Sequence, residues 1–157
     1  MKPKFALCFV LWAILFQSTT QAAAPGCSSR GIPISRLELI EILRRDSFSL
    51  PLQIQDEFTR LGEIQMARSC FVIFLYTSEY RPGGPGTNLH FAARLLVLRD
   101  YKYLGMYQLD NENLPKRIKG NRVEFPGTEK AGNVVVFSES GPPKTVWLNG
   151  EVREFVK

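Results

Sequence analysis

The chain has 157 residues, with 20 Lys and Arg against 15 Asp and Glu, and a formal net charge of +5. Two of those cations, Lys2 and Lys4, precede a short apolar run, Phe5–Phe16, which gives way to Thr20-Gln21-Ala22-Ala23-Ala24. The run is too short to span a bilayer comfortably. Its flanks are those of a secretory signal peptide over residues 1–24, cut after Ala22 or Ala24.

Loss of that leader removes two cations, so 18 face 15 acids and the exported chain is near +3. So mild a charge argues against nucleic-acid binding. No second long apolar run occurs, so no transmembrane segment is expected after cleavage, and the expected location is secreted or periplasmic. The 133 residues from 25 to 157 suffice for a single domain with a real core. Cys8 leaves with the leader. Cys27 and Cys70 remain, and an exported chain meets oxidising conditions. A Cys27–Cys70 disulfide is the expectation, with two free thiols as the alternative. It would close a loop of 44 residues, for which the chain-entropy account gives about 4 kcal/mol.

Along the chain, Ala24–Pro33 reads as a tether rich in Gly, Ser and Pro. Ser35 and Glu38 then form a capping box, with Ile34 and Leu39 at the staple positions. Leu37, Ile40 and Leu43 make an apolar stripe widened by Leu39 and Ile42, and Glu41 precedes Arg45 by four. This predicts a helix over Arg36–Arg45. Ser47–Leu61 carries two periodicities. Phe48, Leu50, Leu52 and Ile54 alternate as in a strand, whereas Leu50, Ile54, Phe58 and Leu61 keep helical spacing. Pro51 argues against a central strand, and Gly62 supplies a stop, so a second helix over about Leu50–Leu61 is expected.

Beyond it the chain turns to strand. Cys70–Thr77 is an unbroken apolar run suited to a strand buried on both faces. Residues 82–86 (Pro-Gly-Gly-Pro-Gly) are loop. Leu89–Leu98 and Tyr101–Leu109 read as strands around an Arg99-Asp100 turn. Arg117–Ile118 and Arg122–Phe125 flank a Gly120-Asn121 turn. Val134–Phe137 and Thr145–Leu148 follow, and Asn149-Gly150 leads into Glu151–Val156. Asn-Gly between β-rich runs predicts a type I′ hairpin, with Leu148 facing Glu151 and Trp147 facing Val152. The expected fold is therefore α+β. An N-terminal helical segment of one or two helices packs on a curved, mostly antiparallel sheet of about six or seven strands.

The catalytic inventory is thin. His90 is the single histidine, so a Ser-His-Asp or Cys-His site would have to use it, with Cys70 a conceivable nucleophile. No Gly-x-Ser-x-Gly elbow occurs, and no Cys or His pair has metal-ligand spacing. A cation loop at Asp110, Asn111, Glu112 and Asn113 lacks the EF-hand pattern. The Gly83, Gly84 and Gly86 loop lacks the Walker lysine and loses donors to proline. No cofactor or metal is therefore expected. Tyr101, Tyr103 and Tyr107 share a strand face by parity, with Gly105 between them and Arg94 and Arg99 near in sequence. Standing outward they would form a surface for protein or sugar; the plainer reading is half-buried strand tyrosines with Gly105 at a bulge.

The functional expectation is an exported binding protein without catalysis. Its expected partner is a protein, as for an inhibitor or immunity factor, with a glycan as the lesser possibility. The alternative is a small secreted hydrolase or glycan-binding protein using carboxylates such as Glu79, Glu124 or Glu139. Carboxylate pairs leave no sequence signature.

Overall fold

The computed structural model describes residues 34–81, 83, 86, 88–127 and 133–157. The leader and Cys27 lie outside them. Ser35 caps the helix, its Oγ accepting the Glu38 N–H at 3.2 Å, one half of the capping box, and opens α1, Arg36–Arg45. The buried stripe is Leu39, Ile42 and Leu43, while Leu37 is 73% exposed. The helix stops without glycine. Ser47 takes a positive φ of 66°, and the Phe48 N–H returns to the Leu43 carbonyl at 2.9 Å, a Schellman closure.

The second helix does not form. Residues 50–56 contain neither helix nor strand, and β1, Glu57–Gln65, follows. β1 pairs antiparallel with β2, Cys70–Tyr80, with a bulge between Arg60 and Gly62. The residues at helical spacing share no single face: Leu50 and Ile54 precede β1, Ile54 is exposed, and Phe58 and Leu61 join opposite cores. Phe58 lies opposite Tyr76 and joins the helix-side core, whereas Ile64 lies opposite Phe71 and joins the core on the other face, because the inserted residue breaks strict alternation.

β3, His90–Arg99, pairs with β2, and β4, Lys102–Leu109, pairs with β3. Two very short strands, β5 (Arg117–Lys119) and β6 (Arg122–Glu124), pair around a turn at Gly120-Asn121, and β6 pairs on its other edge with β7, Val134–Val136. β8, Thr145–Leu148, and β9, Glu151–Val156, close the chain. Their register is the predicted one, Leu148 opposite Glu151 and Trp147 opposite Val152, around Asn149 at φ 53° and Gly150 at φ 82°. The strands form two sheets rather than one of six or seven: a six-stranded sheet in the order β1-β2-β3-β4-β9-β8, and a three-stranded sheet β5-β6-β7.

Three layers result. On one face of the large sheet, α1 packs over Val72, Phe74, Tyr76, Leu96, Leu98, Tyr103 and Met106. On the other, Val123, Phe125, Val135 and Phe137 from the small sheet's side pack against Phe71, Ile73, Leu95, Val97 and Tyr107. The central strands β2 and β3 are covered twice, which is why their apolar runs hardly alternate. α1 is tied at both ends. The Arg36 guanidinium donates to the carbonyls of Ile54 (2.9 Å) and Asp56 (3.2 Å), and Asp46 Oδ2 accepts the Tyr103 N–H at 2.8 Å. The helix does not reach across β9 and β8, so Trp147, Val152 and Val156 stay exposed.

Candidate functional site

The common tyrosine face does not form. β4 bulges where Val97 faces Gly105 and Leu98 faces Tyr103, leaving Leu104 extra. Tyr103 therefore enters the helix-side core and Tyr107 the opposite one, and both are buried. Burial pushes the Tyr103 phenol up to about 12, against the charge of Arg94, and pushes Tyr107 up further. The Tyr107 hydroxyl donates to the Pro143 carbonyl. Gly105 is required where it stands: a Cβ there would meet the Val156 carbonyl oxygen at 2.5 Å and the Phe155 ring at 2.8 Å. Tyr101 sits in the β3–β4 turn at φ 63°, half-buried. The two arginines also part. Arg94 lies opposite Tyr76 on the helix side, and Arg99 lies opposite Phe71 on the other, 3.5 Å from Asp100.

His90 and Cys70 are likewise separated. His90 begins β3 opposite Tyr80, and Cys70 begins β2 at the far end, about 30 Å away at the strand rise. No Cys–His pair arises between them. Two of the three candidate carboxylates are engaged in the fold. Glu124 is paired with Arg117 at 2.6 Å, and that hydrogen bond holds it below the usual range despite partial burial. Burial raises Glu139, but bonds from Ser69 Oγ and the N–H groups of Ala67 and Arg68 outweigh it and lower its pKa. In the Asp110–Asn113 loop, Asp110 pairs with Arg153 at 2.5 Å and Asn111 donates to the Phe91 carbonyl at 2.9 Å. Among the described residues no group of three or more His, Cys, Asp or Glu side chains is placed to hold a metal ion.

The remaining candidates meet at one corner, where β2 ends and β3 begins. A recess of about 200 Å³ opens there on the helix side, lined by Leu50, Pro51, Gln53, Asp56, Tyr76, Ser78, Glu79, Tyr80 and Arg94. Asp56 is 3% exposed, and its Oδ2 accepts the Tyr76 hydroxyl at 3.0 Å and the Gln53 N–H at 2.7 Å. Its Oδ1 is buried with no hydrogen-bond partner. An acceptor left so costs about 1–3 kcal/mol, and more when charged. Burial pushes the Tyr76 phenol up, opposed by Ser78 and reinforced by Asp56. The Arg94 guanidinium lies 5.5 Å from the Tyr76 ring centre and donates to Ser78 Oγ at 3.3 Å. Tyr76 thus stands between a carboxylate and a guanidinium, holding one by its hydroxyl and the other on its ring face.

At the mouth of this recess the Tyr80 ring contacts that of His90 at 5.6 Å, and Tyr80 and, on the opposite face of the sheet, Phe91 are half exposed. A second recess, of about 210 Å³, abuts it and is lined by Gln55, Glu57, Thr77, Ser78, Glu79 and Phe91. Glu57 faces Thr77, two residues before Glu79, so two carboxylates flank this second space diagonally. The sequence pointed to Arg94, Glu79 and His90 but not to Asp56, whose partner Tyr76 lies 20 residues away. A lone aspartate in a segment of mixed periodicity gave no signal of that contact. No protein-family model, no characterised protein and no solved structure matches this chain.

Proposed function

We propose that this chain is an exported binding protein that takes its partner at the β2–β3 corner. The observation that carries the reading is the first recess, where a buried carboxylate with an unused oxygen and a guanidinium share one opening. Aromatic side chains and arginine are the groups enriched at protein interfaces, and here Tyr76, Tyr80 and Arg94 line that opening. A protein partner of the inhibitor or immunity kind fits this rim. Export rests on the charged start, the short apolar run and the small residues before position 25, and the Cys27–Cys70 disulfide belongs to the same reading.

The second recess favours one other reading. Glu57 and Glu79 beside the exposed ring of Phe91 suit a glycan, either bound or cleaved. The two readings separate in one experiment. Tagged protein lacking residues 1–24 is used to capture partners from the envelope and culture fluid of the source organism, beside the double variant Arg94→Glu, Tyr80→Ala. One stoichiometric protein held by the first and lost by the second is expected. Equal capture by both would remove the partner from this corner. Absence of any protein, with Glu79-dependent retention on peptidoglycan or polysaccharide resin, would replace the protein reading with the glycan one.

A further inference from the structure

We infer that the Asp56–Arg94 recess binds a protonated amine flanked by a carbonyl or carboxylate oxygen, the chemistry shared by a free α-amino acid and the first residue of a peptide. The inference rests on the corner's being a binding site and names what it takes. Two opposite charges line one opening, and among the described residues neither has a counterion. Within them Asp56 forms no ion pair: Arg36 reaches its main-chain carbonyl, not its carboxylate. Arg94 has the Tyr76 ring and one neutral hydrogen bond, to Ser78 Oγ. They are kept apart by Tyr76, which engages both. A ligand with only an anion would satisfy Arg94 and leave the buried carboxylate as it is. One with only hydroxyl groups would neutralise neither charge. An ammonium on Asp56 Oδ1 and an adjacent oxygen on the guanidinium answer both with charge-assisted hydrogen bonds.

Size and walls point the same way. A cavity of about 150 Å³ accepts benzene, and drug-sized ligands need about 300–1,000 Å³. A recess of about 200 Å³ therefore suits one amino-acid residue. Leu50, Pro51 and Tyr80 offer its side chain an apolar wall. Oδ1 is buried, and the segment that carries it, residues 50–56, contains neither helix nor strand. Such a segment opens at lower cost than a paired strand.

The test is backbone amide NMR of the chain without residues 1–24, titrated with Leu-Gly-Gly, N-acetyl-Leu-Gly-Gly and free leucine. Saturable shifts at Asp56, Ser78 and Arg94 are expected with Leu-Gly-Gly, weakened at least tenfold by acetylation. Arg94→Gln should weaken them at least tenfold while leaving the spectrum folded, which covers the case in which Asp56→Asn disturbs the loop it closes. Free leucine as tight as the tripeptide identifies an amino-acid site; weaker leucine identifies a peptide terminus. Equal binding of the acetylated peptide, or no saturable shift from any probe at millimolar concentration, overturns the inference. If that happens while the captured partner still depends on Arg94, the ligand class falls and the binding corner stands.

Discussion

Three tyrosines in seven residues show how little side-chain identity fixes before the backbone is known. Tyr103 and Tyr107 are as buried as any leucine in the molecule, yet they differ in one respect. The Tyr107 hydroxyl has the Pro143 carbonyl, whereas the Tyr103 hydroxyl is buried without a partner. Removing an unpartnered buried hydroxyl removes a desolvation cost and no bond. Tyr103→Phe should therefore be neutral or stabilising at neutral pH in urea unfolding. Its effect should grow in alkali. Because burial raises the folded pKa to about 12, the tyrosine's contribution is fully present below the unfolded value of about 10. It is lost as pH rises through the folded one. The wild type should lose stability over that window more steeply than Tyr103→Phe. Parallel stability–pH curves for the two would contradict the burial assigned to Tyr103.

Elements were legible where their signals are local. Ser35 to Glu38 gave the helix start and Asn149-Gly150 the terminal hairpin with its register, because each rests on residues within a few positions of one another. The Asp100-Tyr101 turn has positive φ at both residues, 49° and 63°, without a glycine, and its exact place was misjudged by one residue. The second helix and the shared tyrosine face fail for a common reason, while the plainer reading of a bulge at Gly105 holds. Bulges at Leu61 and Leu104 are defined by the partner strand, β2 for one and β3 for the other, so nothing within either segment announces the change of face except a nearby glycine. The candidate site depends on the same long-range pairing, since the loop before β1 carries Asp56 to Tyr76. The local signals are the ones that single substitutions can test. Asn149→Val puts a β-branched residue at φ 53° and should cost about 1–2 kcal/mol. Asn149→Gly, which tolerates that φ, should be nearly neutral. Equal midpoints for Asn149→Val and the wild type in urea would contradict the type I′ turn.

At the scale of the molecule, among the described residues, the large sheet is held between a small sheet and one short helix, and the helix layer is the thinner cover. α1 has ten residues, about 15 Å at the helical rise. Its first turn is tied by Arg36 to the Asp56 end of β2, and Cys70, half of the proposed disulfide, begins β2 at the other end on the same helix-side face. Cys27 stands eight residues before Ser35, a stretch that spans at most about 27 Å fully extended. The effect of the bridge would be to fasten the N-terminal segment to the first residue of β2, at the end of that strand away from the recess. The exported form, unfolded without reductant, should titrate no free thiol. Reduction should then lower its stability by about 4 kcal/mol on the chain-entropy account, with the first loss of amide-exchange protection in α1 and residues 50–56 rather than in β2 and β3. Two titratable thiols would leave the helix layer held by Leu39, Ile42 and Leu43 and by the polar ties of Arg36, Arg45 and Asp46. The recess would then depend on those contacts for its shape.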